Sequence, residues 1–239
     1  MLKFDKLVFG DLGWGDELLI ATLMTLTVSV LSMGLGLCLA IITVWAKLIT
    51  NRITRLIANF YTTVVRGVPE LLVIYLIFFG GNAVVMGIAK IFGYNKYIEL
   101  NALTIGTIAI AFISATYSSE VIRAAYLAVN KGQVEAAKAL GLSKFQIFMR
   151  VMGPQIIRHA LPGIGNVWQI TLKDTSLISV TGLVEIMRQA RIASNVEHSP
   201  LTFLITAACL YLFLTTFSGK LFKALELNTQ KVINNAKFN

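Results

Sequence analysis

The residues able to do chemistry stand in small groups between long apolar runs. Glu120 and Arg123 are three apart, so on a helix they share a face. There they either pair with each other or line a cavity that receives a charged group of a solute, since ionisable residues inside a membrane face the interior of a bundle. Arg66 and Glu70 flank Gly67 and Pro69, and the proline steers Val68 away from helical backbone; these charges either anchor a turn or serve a gate. Lys173, Asp174, Thr175 and Ser176 form a third polar group, whose hydroxyls can cap free backbone groups or line a path. Asn166 and Gln169, again three apart, can aim both amides into one cavity or bond a neighbouring helix.

No catalytic set converges among these residues. The only histidines, His159 and His198, lie far apart, and Cys38 and Cys209 sit in separate apolar runs without neighbouring ligand types. Neither a metal site nor a disulfide is expected. A Gly-x-x-x-x-Gly-Lys-Ser/Thr phosphate loop is absent from the sequence. The chain is therefore expected to be no enzyme and to bind no cofactor of its own. The two classes left open by the residues are a transporter and, lacking its catalytic groups, a membrane-embedded enzyme.

The elements that must hold these groups are read from the apolar runs. Hydrophobic residues make up 56% of the 239, charged residues only 14%, and mean hydropathy is +0.73. A soluble domain carries roughly a quarter charged residues, so the bilayer is the expected solvent. The net charge of +9 is spread over loops rather than gathered into a patch, which argues against a nucleic-acid surface. Runs long enough to cross roughly 30 Å of hydrocarbon predict an all-α integral membrane protein in a single domain, 1–239. Five spans are expected at about 18–46, 71–89, 100–120, 156–173 and 198–219. The fourth, interrupted by Pro162, Gly163 and Gly165, is predicted to be short or broken.

Loop charges orient the bundle. Lys47, Arg52, Arg55 and Arg66 fall in one inter-span segment, Lys131, Lys138, Lys144, Arg150 and Arg158 in another, and Lys220, Lys223, Lys231 and Lys237 in the tail. The positive-inside tendency puts all three in the cytoplasm and the N-terminus outside. The opposite segments, including the one with Lys90 and Lys96, carry fewer or balanced charges. Trp14, Tyr94 and Tyr97 are placed at the outer boundary.

Within the second cytoplasmic segment, about 128–154, lies Glu135, Ala136, Ala137, Lys138, Ala139, Leu140 and Gly141. Small alanines permit close approach of another surface, Gly141 permits a sharp break between short helices, and Glu135 offers a fixed charge. This reads as a docking loop. The plain alternatives are a carboxylate favoured by a helix N-terminus for Glu135 and an ordinary C-terminal cap for Gly141.

Gln133 to Gly141, followed by Val151-Met-Gly-Pro154, resembles the cytoplasmic coupling loop of permease subunits of ATP-binding-cassette (ABC) importers. Three further blocks resemble the polar amino-acid branch, in particular the histidine, lysine/arginine/ornithine, octopine and nopaline permeases. These are Tyr61 to Glu70, Tyr117 to Arg123, and Leu161 to Gln169 with Leu172 to Ser176. The resemblance spans about residues 18–222 and departs at Gly153, where relatives carry leucine, and at Val167, where some carry a polar residue. It implies a type I importer (MetI-like) fold and a bacterial inner-membrane location. It further implies two copies of a cytoplasmic ATPase that use ATP and magnesium, a second permease forming a heterodimer, and an external solute-binding protein. An ion-coupled transporter needing no ATPase is the alternative; it would be expected to show an internal repeat, and none is visible.

Overall fold

The computed structural model describes residues 3–10, 13–94 and 101–236, the side chains of 230–236 excepted. Lys96, Tyr97 and Lys237, and Leu100 where the third span was expected to begin, lie outside the described residues. Everything regular that is described is helical: α1 (Gly15–Leu48), α2 (Arg52–Gly67), α3 (Glu70–Ile91), α4 (Ala102–Leu127), α5 (Lys131–Ala139), α6 (Lys144–Ile147), α7 (Gly153–Asp174), α8 (Ile186–Glu197) and α9 (Pro200–Ala236). Four of these are long and apolar enough to cross a membrane: α1, α3, α4 and the stretch Pro200–Thr229 of α9. Helix α7 matches α3 in length, at 22 residues, but is more polar.

Helix α4 is the centre. It is buried on nearly every side from Ile105 to Ser119 and packs against α1, α3 and α7. The α1–α4 seam is made of small and hydroxylated residues, which let backbones approach closely. Thr22, Thr25, Ser29, Ser32, Gly36, Ala40, Thr43 and Lys47 recur at intervals of three or four along the buried face of α1. Gly36 has no room for a side chain, because a Cβ there would lie 2.1 Å from Ser114 Oγ. Ser32 crosses the seam to the Thr107 carbonyl, 3.1 Å, while Thr22, Thr25 and Ser29 satisfy their hydroxyls on their own helix. Most of α3, by contrast, is uncovered, with only Val73 and Ile74 buried.

Two expectations give way. The segment carrying Arg52, Arg55 and Arg66, read as a loop, is helix α2, whose Ala58, Thr62 and Val65 form a narrow buried stripe; its arginines and threonines interrupt the apolar runs by which the spans are found, so the amphipathic helix was passed over. The fourth span is not broken at Pro162, since α7 runs unbroken from Gly153 to Asp174. The irregularity sits at its two ends instead: a wide π turn at Phe148–Met152 ahead of Pro154, and tight turns over Thr175–Thr181 closed by Gly182 at φ 103°.

At the opposite end of the bundle, the N-terminal segment lies across α8 and α9. Lys3 N–H donates to Thr202 Oγ1 (3.0 Å) and its ammonium to the Glu197 carbonyl (2.7 Å). Glu197 also pairs with Lys6 at 3.5 Å and accepts from the Trp14 indole at 3.4 Å. Partial desolvation pushes the Glu197 carboxyl up, but the Trp14 N–H and the Lys6 and Lys3 charges outweigh it and hold the group below the usual carboxylate range.

Candidate functional site

The loop between α4 and α7 is built from local signals. Asn130 caps α5 by accepting from Gly132 N–H, and Ser143 caps α6 in a reciprocal box with Gln146. Gly141 joins them at φ 76°, with nothing within 4 Å of where a side chain would start. Glu135 lies in the middle of α5, past the first turn, so a helix dipole does not account for it. Glu135 and Ala136 are exposed, whereas Ala137 turns inward at 5%. Leu140 at 81% and Phe145 at 73% are the most exposed large apolar groups of this loop. Gln155 of α7 donates to Gln133 of α5 at 2.6 Å and to the Val151 carbonyl at 2.7 Å, so the loop is tied directly to the foot of α7.

Higher in the bundle, α4 serves as a depth gauge for α7. A Cβ on Gly163 would lie 2.6 Å from Val121, and one on Gly106 would meet Ile178 at 3.1 Å. Residues 163–178 thus rise alongside residues 121–106. Lys173 and Asp174 stand near the level of Ala111, roughly 14 Å along α4 from its first turn at about 1.5 Å per residue.

Two of the charged groups read from the sequence meet at this level. Asp174, at 8% exposure, lies beside Glu70 at the start of α3. Tyr117 donates to Glu70 at 3.0 Å, and the Arg66 guanidinium lies over the Tyr117 ring, 5.5 Å from its centroid. The Gly67–Pro69 break between α2 and α3 thus brings Arg66 and Glu70 onto α4 and α7.

Glu120 belongs to a separate cluster lower down. Arg123 reaches one carboxylate oxygen at 2.9 Å, and the other accepts from Lys47. Lys47 is not a loop residue. Its side chain is 4% exposed, and its ammonium also bonds Thr62 of α2 at 2.6 Å. One ammonium thereby ties α1, α2 and α4 together. A lone lysine ending an apolar run reads as a span boundary, and its partner stands 73 residues away, so no local signal reveals it.

Asn166 and Gln169 open onto a cavity of about 260 Å³ between α7 and α9, which Glu226 and Lys223 also line. Gln169 donates to the Thr215 carbonyl at 3.1 Å. Thr175 bonds the Leu172 carbonyl and lies 3.5 Å from the Tyr211 hydroxyl, while Ser176 bonds the Lys173 carbonyl. Sequence reasoning passed over Glu185, fully buried, which caps α8 through Met187 and Arg188 N–H and accepts from Tyr211 at 2.6 Å. Its place directly before the short helix was the available signal.

Comparison with known proteins places this arrangement. Residues 32–230 match the family described as binding-protein-dependent transport system inner membrane component. The chain is 49% identical over 221 residues to the nopaline transport system permease protein of Agrobacterium fabrum, covering 92% of this chain and 94% of that one. It is 43% identical over 223 residues to the octopine transport system permease protein of Rhizobium meliloti, covering 93% and 94%. A histidine/lysine/arginine/ornithine transport system permease protein of Escherichia coli is 36% identical over 214 residues, covering 90% and 93%. Among solved structures, an amino acid ABC transporter with histidines superposes with a TM-score of 0.77 at 30% identity, over 90% of this chain and 95% of the other. The inward-facing MetNI methionine transporter shares the fold, with a TM-score of 0.66 at 16% identity over 89% and 96%. With the helical bundle, the family match and relatives aligned along nearly their whole length, this chain belongs to the inner membrane components of binding-protein-dependent transport systems.

Proposed function

We propose that this chain is the permease subunit of an ATP-driven importer of polar amino acids, basic ones in particular, or of opines. The names of its relatives supply the substrate class. In this reading α7 also crosses the membrane, as the fourth of five spans in chain order, the N-terminus lies outside and the α5–α6 loop is cytoplasmic. That loop seats on one of two ATPase subunits, which hold the ATP and magnesium, and a second, different permease completes the pore. An external binding protein delivers the solute. Arg66, Glu70, Lys173 and Asp174 stand where a gate would be, and Asn166, Gln169, Thr175 and Ser176 border the path. Glu120 and Arg123 serve the lower cluster.

The observation that carries the coupling role is the loop itself: an exposed helix α5 with Glu135 and Ala136 outward, exposed Leu140, a left-handed Gly141 and the Gln133–Gln155 tie to α7. A force applied at α5 reaches α7 without an intervening flexible segment. Differential contacts in two states are what transmit such work.

Gly141→Glu tests it. The backbone cost of a left-handed non-glycine residue is about 1–2 kcal/mol, and the space around the position is open, so the variant is expected to insert and assemble. Uptake should fall well below ATP hydrolysis, both measured in proteoliposomes. Normal coupled uptake would remove the docking assignment.

A further inference from the structure

A groove opens on the surface of the bundle where α1, α4 and α7 meet, on the side of the α5–α6 loop. Its volume is about 920 Å³, within the roughly 300–1,000 Å³ of sites that hold small molecules. One wall is α1 from Leu37 to Leu48, the other is α7 from Gly153 to Ile164, and Ile122 and Tyr126 of α4 stand between them. Each wall advances eleven residues, about 16 Å along its helix. That is the depth of one leaflet, half of a hydrocarbon core of roughly 30 Å. Among the described residues, only Trp45 and Tyr126 bring an N–H or O–H side chain to the lining. Water there lacks the polar partners that hold it in a cavity, so in a bilayer the groove fills with hydrocarbon.

The lower rim of the groove is cationic and carries no acid of its own. Arg52 begins α2 four residues past Leu48, and Arg150 follows the lining residues Phe148 and Met149 in the π turn. Both are exposed, and neither takes part in an ion pair within 4 Å among the described residues. The sequence holds no Asp or Glu from 18 to 69, from 121 to 134 or from 136 to 173, the stretches that supply the lining and its lower ends. Glu120, the nearest carboxylate along α4, is committed to Lys47 and Arg123. Trp45 and Tyr126 lie within three residues of the ends of their helices, where indole and phenol groups mark a membrane boundary.

We propose that this groove holds the acyl chains of an anionic phospholipid from the leaflet next to the α5–α6 loop, with the phosphate held by Arg150 and Arg52. A guanidinium donates two parallel N–H bonds to a phosphate, and no neighbouring carboxylate of the chain competes for it. The headgroup meets these charges at the end of the groove where the helices stop, while the acyl chains cover the exposed Ile41, Met149 and Ile157. The same π turn joins α6 to α7, so the lipid braces the connection between the α5–α6 loop and α7. This binding does not depend on which solute the transporter carries.

The test uses the assembled transporter complex in phosphatidylcholine nanodiscs. The probe is phosphatidylglycerol with a photoactivatable diazirine in one acyl chain, compared with phosphatidylcholine bearing the same chain, and labelled residues are located by mass spectrometry. Wild type is expected to be labelled on the groove walls of α1 and α7. Phosphatidylglycerol should label them at least about fivefold more than phosphatidylcholine, the factor that one basic residue near a membrane surface contributes. Arg52→Gln combined with Arg150→Gln should bring the two labels to within about twofold of each other while the groove stays labelled. Ile41→Trp combined with Ile157→Trp, both at exposed positions, fills the groove and should remove either label there while labelling elsewhere on the complex persists. Equal labelling of the wild-type groove by the two lipids overturns the proposal, as does a groove left unlabelled while other membrane-facing segments are labelled. An Ile157→Cys variant that crosslinks to another subunit shows a protein in the groove and overturns it too.

Discussion

Removing charges from the Lys47–Glu120–Arg123 cluster should be strongly asymmetric. The Lys47 side chain is 4% exposed and Glu120 24%. Glu120→Gln strands a buried ammonium whose remaining partner is the Thr62 hydroxyl. Breaking a buried pair by deleting one member costs about 3–5 kcal/mol, and the lower end, about 3 kcal/mol, fits a site reachable by some solvent. Lys47→Met leaves Glu120 with its 2.9 Å bond to Arg123 and partial hydration, so about 1–2 kcal/mol is expected. The double variant removes both charges and replaces the lysine stem with an apolar one, which should cost less than the sum by about 1–3 kcal/mol. On the scale of about 2–4 °C per kcal/mol for a chain of this size, Glu120→Gln should lower the melting temperature of the purified complex by roughly 6–12 °C and Lys47→Met by one third to two thirds as much, roughly 2–8 °C. Scanning fluorimetry in one detergent, on all three variants, gives the cycle. Strict additivity, or a larger loss for Lys47→Met, would refute the assignment of Lys47 as the buried member held by Glu120. A stable Glu120→Gln transporter with altered solute preference would move Glu120 from scaffold to path.

Two further outcomes follow from close contacts elsewhere. Gly163→Ala puts a methyl 2.6 Å from the stiff Val121 side chain, so α4 and α7 must separate. Overpacking of this kind costs about 1–3 kcal/mol, read as a lower melting temperature, with Val121→Ala expected to restore it. At the N-terminal clasp, the depressed Glu197 carboxyl contributes stability that is complete above its unfolded value, about 4.3, and is lost as pH falls through the lower folded value. The stability gap between wild type and Glu197→Gln should therefore be full at pH 7 and close as the solution is acidified below about pH 4; a gap that widens on acidification would contradict the sign.

The large features of this fold are legible in the sequence because they rest on long-range averages. Uncharged runs locate α1, α3, α4 and α9, and the glycine at 141 between two polar helical segments marks the loop. What escaped reading depends on pairings distant in sequence or on short amphipathic stretches. Helix α2 buries only three residues, Lys47 finds Glu120 at 73 residues' distance in the sequence, and Glu185 finds Tyr211 on another helix. Pro162 was expected to break α7 and does not; its missing N–H costs one bond on a helix whose neighbouring Gly163 and Gly165 pack closely against Val121 and Phe222. The association of Glu70 with Asp174 is invisible locally, since it requires the α2–α3 break and the end of α7 to meet on α4.

The most direct measurement is gentle purification of this chain from its native membrane, with every co-purifying subunit identified and counted by mass spectrometry. An ABC ATPase present at two copies, with one copy of this chain and one of a second permease, is the predicted result. Recovery without any ATPase, even after mild crosslinking through a cysteine placed at Glu135, would contradict the account.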